Sequence, residues 1–110
     1  EAITLMADLD AGATGSMTGG GYPDLIRMIM DPHLAGDRAG AKAAYARILP
    51  LINHENRQTG IATAKTLMKE GGIIACDALR APQRDPSREA KAGLIELARD
   101  LDALALRWGK

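Results

Sequence analysis

With 110 residues the chain has room for one modest domain, burying roughly two-thirds of the surface its unfolded form exposes. Its 14 basic and 14 acidic side chains cancel and aromatic residues make up only 3%, so neither a net field nor a set of stacking rings is present for nucleic acid or an anionic membrane. Ala, Leu, Ile and Met carry most of the 46% apolar fraction, with no Phe, which favours a mostly helical chain.

The single cysteine, Cys76, cannot close an intrachain disulfide, and no apolar run approaches the roughly 20 residues of a membrane span. Glu1 is not preceded by an initiator methionine, and neither a charged n-region nor an apolar h-region follows it. The expectation is a reducing, cytoplasmic setting and a piece of a longer protein.

From the start, Ile3, Leu5, Met6 and Leu9 recur at helical spacing, and Gly12 stands where a helix commonly stops, so residues 1–11 are expected to be a helix. Ala13 to Thr18, small and bracketed by Gly12 and Gly19, reads as a short buried strand. Its backbone groups must pair with neighbours, yet no second convincing strand follows. The partner strands are therefore expected to come from elsewhere.

Pro23 is well placed to open a helix that runs through Leu25, Ile26, Met28, Ile29 and Met30 to a break at Asp31-Pro32. Asp37 is a plausible cap for a long helix, kinked at Pro50 and ending in the polar cluster Asn53 to Gln58. A third helix is expected over Thr59 to Glu70 with Gly71-Gly72 as its stop. After an irregular connector, Asp85 should cap a last helix with Pro86 at its first position and a stripe of Leu94, Leu97, Ala98, Leu101, Leu104 and Ala105.

The triple glycine leading into a helix invites an anion-binding reading through free amides. However, there is no GxGxxG, no phosphate-loop lysine, and Asp24 puts a negative charge in the first turn, so a tight structural turn is the better expectation. Ser16 and Thr18 alternate with Met17, so the two hydroxyls share one strand face, able to orient a polar substrate or to bond to backbone.

His33 is expected in a loop, and His54-Glu55 lacks the second histidine of HExxH, so no metal site is expected. Cys76 reads as a small buried residue rather than a nucleophile. Lys42, Lys65, Lys69, Lys91 and Lys110 lie on helical or terminal segments rich in other charges, unlike a desolvated Schiff-base amine. The Asn53 to Gln58 run reads first as a solvated helix end, and otherwise as a cover for a site or a subunit contact.

Two runs carry a resemblance that spacing cannot supply: AGATGSMTGGGYPD, and LPLINHENRQTGIATAKTLMKEGGIIACDALRAP after it. Together they resemble the C-terminal part of the dihydrodipicolinate synthase and N-acetylneuraminate lyase family, over essentially the whole chain, and within it the 2-keto-3-deoxy sugar acid dehydratases. The resemblance implies an α/β fold class, with this chain a C-terminal fragment of a (β/α)8 TIM barrel: residues 1–34 supply helix 7, strand 8 (Ala13 to Met17) and helix 8, and residues 35–110 a three-helix extension.

It further implies chemistry through a Schiff base on a lysine, with a tyrosine helper, both upstream of Glu1, so that no catalytic residue is expected within the chain. Ser16, Met17, Thr18 and Gly19 are the implied substrate-pocket residues, with no metal and no cofactor. The implied partners are a small-molecule 2-keto acid substrate and further copies of the same protein in a homo-oligomer. An aldolase or synthase of the same family, and a non-catalytic helical interaction module, are the alternative readings.

Overall fold

A computed structural model describes residues 2–110. Glu1, the first residue of the first expected helix, lies outside the described residues. Five α-helices follow in order: α1 (Leu5–Asp10), α2 (Pro23–Leu34), α3 (Arg38–His54), α4 (Ala62–Glu70) and α5 (Arg88–Asp100). A π-helical turn, Glu55–Thr59, extends α3, and a 3-10 turn, Leu104–Leu106, follows α5.

The helices form where the apolar spacing puts one face inward. Leu25, Ile26, Ile29 and Met30 make the buried face of α2, Ile48, Leu51 and Ile52 that of α3, and α2 packs chiefly on α3. Leu67 from α4 and Leu94 and Ala98 from α5 join Leu5 and Leu9 of α1 in one continuous hydrophobic cluster. That cluster crosses the expected boundary at residues 34–35, so both segments share a core.

Proline and polar signals are overridden in two places, α2 and the last helix. α2 continues through Asp31-Pro32 to Leu34, which puts His33 in a helical last turn instead of a loop. Pro32 removes only its own N–H from the ladder, and its carbonyl accepts from Asp37 N at 2.8 Å, closing the helix end. α3 keeps Pro50 inside it and ends at His54, within the polar cluster where its end is expected, and the chain carries on into the π turn. The last helix begins after Ser87, whose side chain accepts from Ala90 N at 3.0 Å, so neither Asp85 nor Pro86 holds the position expected of it.

α5 also ends earlier than its apolar stripe. Asp102 adopts a left-handed φ of 53° and Ala103 N bonds back to Ala98 O at 2.9 Å, so Leu104 and Ala105 sit on the following 3-10 turn. Cys76, expected to be buried, is exposed, its Sγ accepting from Ala78 N at 3.4 Å. The connector that carries it has no regular structure and is pinned instead by charge: Asp77 bonds both Lys69 (2.8 Å) and Lys91 (2.9 Å).

The expected strand over Ala13 to Met17 is not present: among the described residues none belongs to a sheet. The physical reason is the one already visible in the sequence. A strand exists through its ladder, and among the described residues no second segment pairs with the first.

Candidate functional site

Residues 13–22 link α1 to α2 and carry all four sequence-derived pocket positions. Gly12, at φ 102°, turns the chain out of α1. Ser16 and Thr18 are half-buried and, with Ile26, Met30 and Leu34 of α2, line one depression; the Ser16 hydroxyl is buried without a hydrogen-bond partner. Met17 is 90% exposed and Gly19 is also exposed, so the structure does not gather the four into one cluster.

The triple glycine is explained by close approach to the rest of the chain. A Cβ on Gly21 would stand 3.3 Å from Ala64 Cα and 3.2 Å from Leu67 Cδ1 of α4. On Gly19 it would stand 2.7 Å from Glu55 Oε1. The glycines thus let the loop lie against α4 and the π turn, which agrees with the structural-turn expectation.

Glu55 and Tyr22 are what sequence reasoning missed. Tyr22, 1% exposed, donates its hydroxyl hydrogen to Glu55 Oε2 across 33 residues of chain. Burial, and then the bond to Glu55 and its charge, raise the tyrosine's pKa far above its ordinary value of 10, so the hydroxyl remains a donor. The π turn aims the carboxylate: Gly60 N bonds to Glu55 O at 2.7 Å, and Gly60, at φ 49°, closes it.

Neighbours hold that turn in place. Asn56 Nδ2 donates to Ile52 O at 2.7 Å, the Thr59 and Thr63 hydroxyls bond at 2.6 Å, and His54 Nε2 lies 2.8 Å from the Ala90 carbonyl of α5. The polar run is therefore only partly the solvated end expected of it: Asn53, Arg57 and Gln58 are exposed, while His54, Glu55 and Asn56 are half-buried. Gly19, Glu55, Asn56, Gly60 and Ile61 together line a depression of about 260 Å³.

A larger, mainly apolar depression of about 410 Å³ lies between the start of α2 and the C-terminal turn, lined by Asp24, Met68, Ile73, Leu104 and Trp108 among others. Asp24 Oδ2 accepts from Leu104 N at 2.9 Å there. Lys69 and Lys91 have their pKa raised, first by hydrogen bonds to Asp77, which is the opposite of what a Schiff-base amine needs. Among the described residues no three His, Cys, Asp or Glu side chains gather to hold a metal ion, and no helix is long and apolar enough to cross a membrane.

Over 108 residues, 98% of the chain, the sequence is 56% identical to L-2-keto-3-deoxyarabonate dehydratase of Azospirillum brasilense. Over 84 residues, 71% of the chain, it is 37% identical to 4-hydroxy-tetrahydrodipicolinate synthase 1 of Streptomyces coelicolor. In three dimensions, 89% of the chain superposes on dihydrodipicolinate synthase from Rhodopseudomonas palustris with a TM-score of 0.78 and 27% identity. In sequence and in structure alike, this chain is similar to the dihydrodipicolinate synthase family.

No family model matches it. The chain spans about a third of the length of the relatives it matches: 35% of the A. brasilense dehydratase, 27% of the S. coelicolor synthase and 33% of the R. palustris structure. Both runs that carry the family resemblance contribute to the Tyr22 and Glu55 contact: TGGGYPD supplies the tyrosine and LINHENRQ the carboxylate. The distance in sequence between them is why no spacing pattern could reveal the pair.

Proposed function

We propose that this chain is the closing part of a Schiff-base-forming hydro-lyase that dehydrates a 2-keto-3-deoxy sugar acid of the L-2-keto-3-deoxyarabonate kind. The observation that carries this reading is the 56% identity to the A. brasilense dehydratase across 98% of the chain. In it, residues 1–34 complete a (β/α)8 barrel, residues 13–17 become its eighth strand once neighbouring strands supply a ladder, and residues 35–110 form a helical extension that serves assembly of a cytoplasmic homo-oligomer.

The barrel rule supports the placement of the site, since active sites sit at the C-terminal ends of the strands, and Ser16, Met17, Thr18 and Gly19 occupy that end of the eighth. These residues wall the pocket, while the lysine that forms the ketimine with the substrate's keto carbon belongs to the remainder of the barrel. Ketimine formation acidifies the C3 proton; its loss gives an enamine, whose electrons expel the C4 hydroxyl as water once that oxygen is protonated.

Borohydride trapping tests this directly. The full-length protein incubated with pyruvate and borohydride should gain one reduced adduct per subunit by mass, on a lysine outside these 110 residues. An adduct on Lys42, Lys65, Lys69, Lys91 or Lys110 would overturn the reading. The 37% match to the S. coelicolor synthase favours a carbon-bond-forming relative as the second reading. Release of water without carbon-bond cleavage, followed by product analysis, separates the two.

A further inference from the structure

We propose that Glu55 is the substrate-orienting group this chain supplies, its carboxylate accepting hydrogen bonds from the hydroxyls at the far end of a polyhydroxylated 2-keto acid. The inference rests on the Schiff-base reading above and adds to it a residue from the helical extension.

Position comes first. Gly19 lies just beyond the segment assigned to the eighth strand, and Glu55 Oε1 lies 2.7 Å from where a Gly19 Cβ would stand, so on the barrel reading the carboxylate sits by the strand end where barrel active sites lie. Gly19 leaves the room that any side chain would take away. The depression of about 260 Å³ bordered by Glu55, Asn56, Gly60 and Ile61 opens at the same place.

Construction is the second argument. A π turn is rare, and where one occurs it is frequently at a functional site. Glu55 is the first residue of this one, with its carbonyl accepting from Gly60 N at 2.7 Å. Tyr22, almost wholly buried and kept protonated, holds one carboxylate oxygen. A carboxylate held by a rigid neighbour is preorganised and loses little freedom on binding.

Chemistry then selects the ligand. An ionised carboxylate is an acceptor only, so its complement is a donor such as the vicinal hydroxyls of a sugar acid. It also repels the substrate's own carboxylate. The substrate therefore enters with its hydroxyl end toward Glu55 and its 2-keto acid end toward the barrel interior.

The test uses the full-length protein with Glu55→Gln, Glu55→Ala and Tyr22→Phe, read on two compounds. One is a 2-keto-3-deoxypentonic acid, assayed for dehydration; the other is pyruvate, which has no far-end hydroxyls, trapped with borohydride. The expected result for Glu55→Ala is a kcat/KM on the sugar acid lower on the order of a hundredfold, while pyruvate is still trapped; Tyr22→Phe should lose roughly tenfold. Sugar-acid kinetics within threefold of wild type in both Glu55 variants would overturn the proposal, as would parallel loss of pyruvate trapping, which marks a merely structural role. A wild-type protein that traps no pyruvate would remove the Schiff-base reading itself, and the proposal with it.

Discussion

Gly71 shows how tightly single positions are constrained. Its φ is −80°, which any residue adopts, yet an added Cβ would overlap the carbonyl oxygen of Ala105, a backbone atom of the C-terminal 3-10 turn. Gly71→Ala must therefore push that turn off α4, and we expect a loss on the order of 3 kcal/mol in urea unfolding of dilute protein. Asp77 gives a residue-scale prediction in pH. Hydrogen bonds from Lys69 and then Lys91 lower its pKa from 3.8 to about 2. A depressed carboxylate stabilises the fold above its unfolded value near 4, and that contribution disappears as pH falls through 2. The two lysines, raised above 10.5, lose theirs only at higher pH. The urea midpoint of Asp77→Asn should thus lie below wild type by a constant amount from pH 5 to 9, and the gap should close as pH approaches 2. A gap that stays open at acid pH would refute the assignment. Neither residue's role could be read from the sequence. Gly71-Gly72 is legible as a helix stop, but the crowding comes from Ala105, 34 positions later, and Asp77 lies in a connector whose partners are on two different helices.

At the level of elements, legibility follows how local the deciding physics is. Apolar spacing locates α2 and α3, and the Asp37 cap is where the sequence puts it, accepting from Gly40 N at 2.9 Å. What fails is the choice between adjacent local signals. Asp85-Pro86 reads as a cap followed by a first-turn proline, yet Ser87 is the cap, and the carboxylate of Asp85 turns instead to Lys91 at 3.5 Å. Ser87→Ala should cost about 1 kcal/mol in thermal or urea unfolding, whereas Asp85→Ala should stay within about 0.5 kcal/mol, because an exposed ion pair contributes little. Equal costs would return the cap to Asp85. The π turn belongs to the same class of miss. Nothing in HENRQT separates an α from a π turn, and the groups that bond to it, Tyr22 and Ala90 of α5, lie outside it. The expected strand is the opposite case: its composition is legible, but among the described residues no strand forms.

The whole molecule carries the consequence of that missing ladder. Its radius of gyration is 14.2 Å, against about 13 Å for a compact domain of this length. Residues 13–19 run along it without regular structure, and Thr14, Ser16 and Thr18 show no backbone hydrogen bonds among the described residues. Exposed beside them is Met17, with further large apolar side chains at Leu34, Ile61 and Trp108. Thr14, Ser16 and Thr18, lying beside apolar surface, offer backbone groups that can pair with another copy. Charge does not oppose this, because the formal net charge at pH 7 is zero and the pI is about 7.0. The isolated 110 residues should therefore associate as concentration rises, most strongly near pH 7 and less at pH 9, where the chain is anionic. Sedimentation velocity over a hundredfold concentration range reads this directly, and amide exchange at Thr14, Ser16 and Thr18 should slow as the associated form grows. On the barrel reading proposed above, supplying the remaining strands as a separate chain should suppress self-association by offering those amides partners. A sharply melting monomer at every concentration, with those amides already protected, would mean that the segment is satisfied within this chain and that the helical interaction module is the better description.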